Sequence, residues 1–150
     1  MTIAINYKNK PVNKNSSNII LFVDEKFNIS KIKKHLPRFE YSFISDLLKT
    51  KDLKKEILDF DISSKRKIIL VSCKEKFKIS DIEKLGAKFY NLFKNLKQNE
   101  YFLNSDSVSS ELRNIVSYFL HGLKLKSYKF EKYKTKKNNK IISIIVTGKN

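Results

Sequence analysis

The chain has 150 residues, of which 41% are hydrophobic and 31% charged, and carries a formal net charge of +17. That length supports one domain with a real core, and that composition excludes a disordered chain. Cys73 is the only cysteine, which excludes an internal disulfide, and no apolar run approaches the ~20 residues a membrane span needs.

Thr2 to Tyr7 alternates apolar and polar residues, the pattern of a strand at a sheet edge. Lys8 to Ser17, with Pro11 and several Asn and Lys, reads as a solvated loop. Asn18 to Val23 (NIILFV) is an unbroken apolar run, the mark of a strand covered on both faces. Asp24 to Asn28 turns, and Ser30 or Asn28 is placed to cap a short helix that must stop by Pro37. Phe43 to Leu48 forms a second helical patch, whereas Leu53 to Ile62 fits either a loop or a short strand.

Lys67 to Cys73 (KIILVSC) is another fully buried strand. Ser80-Asp81-Ile82-Glu83 has the spacing of a capping box, and the helix it opens carries Ile82, Leu85, Phe89, Leu92, Phe93 and Leu96 on one face. Tyr101 to Leu103 is a brief strand. The helix after it places Leu112, Ile115, Val116, Phe119, Leu120 and Leu123 at three- and four-residue steps, with Ser107 or Ser109 as cap and Glu111 at the positive end of its dipole. Ile141 to Val146 closes the chain as a last buried strand. Buried strands alternating with helices predict an α/β fold: a mixed, mostly parallel sheet of about five strands, helices on both faces, right-handed crossovers. Two junctions, Glu25 to Ile32 and Glu75 to Ile82, share a pattern (EKF-x-IS-x-I) that strand-to-helix turns in a lysine-rich chain produce without a repeat.

The charge has two sources. Only Arg38, Arg66 and Arg113 are arginines, and the excess of Lys, Asn and Ile is what an AT-rich genome writes at tolerant surface positions. One stretch stands out beyond that bias. From Lys124 to Lys140 there are eight lysines against one acid, Glu131, with Tyr128, Phe130 and Tyr133 interleaved. Lysines neutralise phosphates and exposed aromatics stack on unpaired bases, so Lys126, Lys129, Lys132, Tyr133, Lys134, Lys136 and Lys137 are the candidate contacts of a nucleic-acid-binding face. The alternative for the same residues is a packed Tyr/Phe cluster with lysines solvated around it. The scarcity of arginine argues against sequence-specific base readout in either case.

Other chemistry is thin. His35 and His121 are the only histidines and have no further ligands grouped near them, which favours structural roles over a metal site. Cys73 ends a buried strand with no base beside it, the setting of a core filler. Gly86, Gly122 and Gly148 form neither a GxGxxG nor a GxxxxGK phosphate loop.

The run from Gly122 through Tyr128, Phe130, Tyr133 and Lys134 resembles the segment closing the N-terminal domain of leucyl (cytosol) aminopeptidases, an apolar helix with a glycine leading into Tyr-x-Phe-Asp-x-Tyr-Lys. Glu131 stands where the family has Asp, and Lys126 where a glycine is common. The strand Arg66 to Cys73 followed by the helix Ser80 to Lys97 looks like the central unit of that domain. The resemblance implies a macro-domain-like fold over 1–150 as a single domain, with the catalytic C-terminal domain absent from this chain. It implies a zinc- or manganese-dependent parent with two divalent metals in that missing domain and a hexamer in which the N-terminal domains lie outward. The lone Cys73 and an N-terminus, MTIAINYKNK, without the apolar stretch of a secretory signal make a cytoplasmic location the expectation. Some bacterial members of that family act as DNA-binding accessory proteins. The signature Asn-Thr-Asp-Ala-Glu-Gly-Arg does not occur here, so no catalytic, metal or cofactor residue is carried over and the chain by itself is expected not to be an enzyme. Glycine-rich loops are what macro domains use to bind ADP-ribose, so the topology alone implies no such ligand.

Overall fold

The computed structural model describes residues 2–8, 18–51, 54–63, 66–74, 76–93, 100–108, 114–132 and 141–147. Six strands form one sheet: β1 (Thr2–Lys8), β2 (Asn18–Val23), β3 (Ile57–Ser63), β4 (Arg66–Ser72), β5 (Glu100–Asn104) and β6 (Ile141–Thr147). Their spatial order is β1-β6-β5-β2-β4-β3. Every neighbouring pair is parallel except β3 with β4. β1 lies at one edge, as its alternation predicts, and β3 at the other. The sixth strand is β3, the segment whose sequence fits loop or strand. Its register, Ile57 opposite Val71 through Asp61 opposite Lys67, makes it the antiparallel partner of β4.

Helices cover both faces. On one side lie α2 (Ile79–Phe93) and α3 (Asn114–Lys132), packed over Ile20, Phe22, Ile69, Val71, Tyr101, Leu103, Ile144 and Val146. On the other lie a short 3-10 helix, η1 (Ser30–His35), and α1 (Arg38–Leu48), over Ile19, Leu21, Leu58, Phe60, Ile68 and Leu70. The unbroken apolar runs of β2 and β4 follow directly: odd and even residues each need a dry partner. Among the described residues no helix is long and apolar enough to cross a membrane.

Several local expectations move. No side chain caps η1. Asn28 Oδ1 accepts from the Ser30 amide (3.0 Å) in a local turn, so neither Asn28 nor Ser30 acts as the predicted cap. Pro37 ends that element and also begins the next, because α1 starts at Arg38 and the Phe43–Leu48 patch is its second half. The Ser80–Glu83 capping box does not form. α2 starts earlier, so Asp81 Oδ2 takes the reciprocal position and accepts from the Lys78 amide at 3.4 Å. Glu83 is thereby freed to face α3, where Oε1 lies 3.6 Å from His121 Nδ1. Ser107 does not cap α3 either. It sits in a second short 3-10 helix, η2 (Ser105–Ser107), where its Oγ accepts from the Phe22 amide (3.0 Å) and donates to the Asn104 carbonyl (2.7 Å). Ser109, Glu111, Leu112 and Leu96 lie outside the described residues.

α2 and α3 cross with their backbones in contact. A Cβ built on Gly86 would overlap the carbonyl oxygen of Phe119, and one built on Gly122 the carbonyl oxygen of Glu83. Glycine is required at both places by space, not by turn geometry. On the opposite face α1 is held by a buried ion pair, with Arg66 Nε at 2.6 Å from Glu40 Oε1 and Nη2 at 2.9 Å from Oε2.

Candidate functional site

In parallel sheets ligands favour the crevice beyond the carboxyl ends of adjacent strands whose chains leave toward opposite faces. Here those strands are β2, which exits toward η1, and β5, which exits through η2 toward α3. The two junctions with the shared EKF pattern also diverge: Phe27 is buried on the α1 face and Phe77 packs against the α2–α3 face. The crevice is bridged by the protein itself. Asn104 Nδ2 lies 3.0 Å from His35 Nδ1, the Phe22 amide is taken by Ser107, and Ser105 Oγ donates to the Thr147 carbonyl (2.7 Å). His35 thus ties η1 to the end of β5, a structural role.

Metal and nucleophile chemistry find no support in the donor set. Among the described residues no three His, Cys, Asp or Glu side chains gather to hold a metal ion. Burial pushes the Cys73 thiol from its ordinary 9.0 up to about 12, which keeps it a neutral core group at physiological pH. His121 is paired loosely with Glu83 at the helix crossing.

The basic run begins on α3. The helix continues unbroken through Gly122 to Lys132. Leu123 and Ser127 point inward, with Ser127 Oγ bonded to the Lys124 carbonyl (2.8 Å). At 100° per residue the opposite, solvent-facing stripe holds positions 121, 124, 125 and 128. Tyr128 is 69% exposed on it, with Leu125 and Lys124 beside it. Tyr128 therefore does not join a packed aromatic cluster. Lys126 is half-buried at the border of the stripe. Lys129 and Lys132 belong to the last turns of α3, and Tyr133, Lys134, Lys136 and Lys137 lie outside the described residues.

The sequence reading missed one feature. Leu92 belongs by spacing to the buried face of α2, yet it is 58% exposed and borders a cavity of about 320 Å³ beside β3. The acids alternating through β3, Asp59 and Asp61, were the available sign of an open sheet edge.

Comparison with solved structures first defines the class. The chain matches the macrodomain of Thermus aquaticus DarG over 99% of both chains, with a TM-score of 0.59 and 7% identity, a likeness of fold alone. It matches a mutant of tomato leucine aminopeptidase with a TM-score of 0.65 and 14% identity, over 99% of this chain and 33% of that one. The chain thus spans about a third of the tomato enzyme's length. Among curated proteins nothing matches. The family model "Cytosol aminopeptidase family, N-terminal domain" covers residues 20–137, and the chain belongs to that family.

Proposed function

We propose that this chain is the non-catalytic N-terminal domain of a metal-dependent leucyl aminopeptidase, an enzyme that removes N-terminal amino acids from peptides. It serves assembly and control of access to a catalytic domain that these 150 residues do not contain. The observation that carries the reading is the family match over 20–137, joined to the tomato enzyme's fold over nearly the whole chain. The zinc or manganese pair belongs, on this reading, to the catalytic domain, since the described carboxylates and histidines do not converge. Its partners are that domain and neighbouring subunits of a cytoplasmic hexamer. Hydrolysis of leucine-amide substrates by this chain alone, supplied with Zn²⁺ or Mn²⁺, is expected to be nil. Measurable metal-dependent turnover would assign the chemistry to these residues and overturn the proposal.

A second reading is favoured by the exposure of Tyr128 among lysines: α3 and the segment after it form a nucleic-acid-binding face, with Lys126, Lys129, Lys132, Tyr133, Lys134, Lys136 and Lys137 as contacts. Contact with about six phosphates gives a log–log salt slope of about −5 on duplex DNA. Neutralising Lys129, Lys132 and Lys134 together is expected to flatten that slope, and Tyr128→Ala to weaken single-stranded more than duplex binding. Absence of binding to either near physiological salt removes this reading and leaves the first intact.

A further inference from the structure

β3 ends the sheet, and no strand pairs with its outer edge among the described residues. The amide of Ser72 donates to the carbonyl of Glu56 (2.8 Å). Alternation along an antiparallel pair then turns the polar backbone groups of Leu58 and Phe60 toward β4 as well. Those of Ile57, Asp59 and Asp61 are aimed outward, an unfilled ladder. Beside this edge lies the cavity of about 320 Å³, lined among others by Lys51, Lys55, Ile57, Asp59, Lys88 and Leu92.

Charge selects what fits. Acids along a sheet edge ordinarily discourage pairing. Here they are already engaged: Lys67 Nζ lies 3.2 Å from Asp59 and 3.3 Å from Asp61, and Lys88 Nζ lies 3.1 Å from Glu56. Lys51 and Lys55 have no acidic partner among the described residues. Lys51 Nζ sits 5.7 Å from the Phe60 ring centre, on the α1 side of the strand. Leu92, 58% exposed, offers apolar surface on the α2 side, above the buried Ile57. A strand added here would send alternate side chains to each side, one set against Leu92 and the other against Lys51. A second copy of a chain carrying +17 is repelled at that approach.

We infer that the β3 edge is a docking site for an extended acidic peptide that joins the sheet as an added strand, apolar residues facing Leu92 and carboxylates facing Lys51. The site is separate from the end of α3 and does not depend on the nucleic-acid reading.

The test uses this chain and a fluorescein-labelled, end-capped peptide of alternating valine and glutamate, followed by anisotropy and by amide exchange. Binding is expected, with Ile57, Asp59 and Asp61 amides newly protected. The valine–glutamine counterpart is expected to bind roughly tenfold more weakly, and Leu92→Ser and Lys51→Glu, both at exposed positions, to weaken the acidic peptide by roughly threefold to tenfold. N-methylation of the acidic peptide at alternate backbone nitrogens, in each of the two possible frames, is expected to abolish binding in one frame. The proposal fails if the acidic peptide does not bind at low salt. It also fails if both N-methylated forms bind undiminished, since plain charge attraction then explains the signal, or if protection maps away from β3.

Discussion

On the α2–α3 side of the sheet, Phe22, Phe89, Tyr101 and Phe119 meet edge to face at centroid distances of 5.4 to 5.7 Å, and two helices touch backbone to backbone at Gly86 and Gly122. The η1–α1 side has a shorter helix pair, a mainly aliphatic core and one buried bidentate ion pair, Arg66–Glu40. The first face is closed by shape and the second relies on charge to fix where a short helix sits. Shape tolerates almost no added volume. A buried pair tolerates joint replacement but not the loss of one member. The two faces should therefore respond oppositely to simple substitutions.

The largest effect is expected at the helix crossing. Gly86→Ala or Gly122→Ala inserts a methyl where a carbonyl oxygen already stands, and backbone cannot step aside as a side chain can. Each should cost at least the upper end of the ~1–3 kcal/mol typical of overpacking, a large share of a total stability of about 5–15 kcal/mol. Urea unfolding followed by circular dichroism measures it. Either variant unfolding within about 0.5 kcal/mol of the wild type would show that the helices separate freely.

Next is the ion pair. Glu40→Ala takes the bidentate carboxylate away from the Arg66 guanidinium, 3% exposed, and should cost about 3 kcal/mol. Replacing both residues, Glu40→Met with Arg66→Met, should recover most of that loss, because apolar side chains of similar size fill the same space without desolvated charge. If the double variant is no more stable than the single, the pair does more than neutralise itself and the contrast between the faces weakens.

These features were unequally legible. The strands Asn18–Val23, Lys67–Cys73 and Ile141–Val146 announce themselves because burial on both faces demands continuous apolar sequence. β3 does not, since Asp59 and Asp61 make sense only once Lys67 is placed opposite them. Helical spacing found the faces of α2 and α3 but assigned Leu92 to the core. Periodicity says which residues share a side and not where the sheet beneath them stops. The start of α2 was misread because Ser80–Glu83 and Lys78–Asp81 offer overlapping cap spacings, and tertiary packing chose between them. Gly122 was visible as a residue, while its reason, the carbonyl of Glu83 pressed against it, and its counterpart at Gly86 exist only in three dimensions. For the basic run, composition gave the lysines and aromatics. That Tyr128 faces solvent needed the direction of Ser127, which turns inward beside it.

The smallest expected effect lies in how the aromatic face answers to alkaline pH. Its buried acids are weak ones: burial raises the Cys73 thiol to about 12, and burial followed by the nearby Asp59 carboxylate raises the Tyr101 hydroxyl from 10.0 to about 12. Both folded pKa values lie above the unfolded ones, so the unfolded chain loses its protons first as pH rises. The stability owed to the neutral thiol is fully present below pH 9 and is lost between 9 and 12, at up to ~1.4 kcal/mol per pH unit. Lysines on the surface titrate over the same range, so the informative quantity is a difference. Urea midpoints of the wild type and Cys73→Val, measured from pH 7 to 10.5, should diverge above pH 9, with the valine variant falling less steeply. Parallel curves would mean that the thiol reaches solvent in the folded chain. The aromatic face would then be looser at the end of β4 than the close packing of its helices implies.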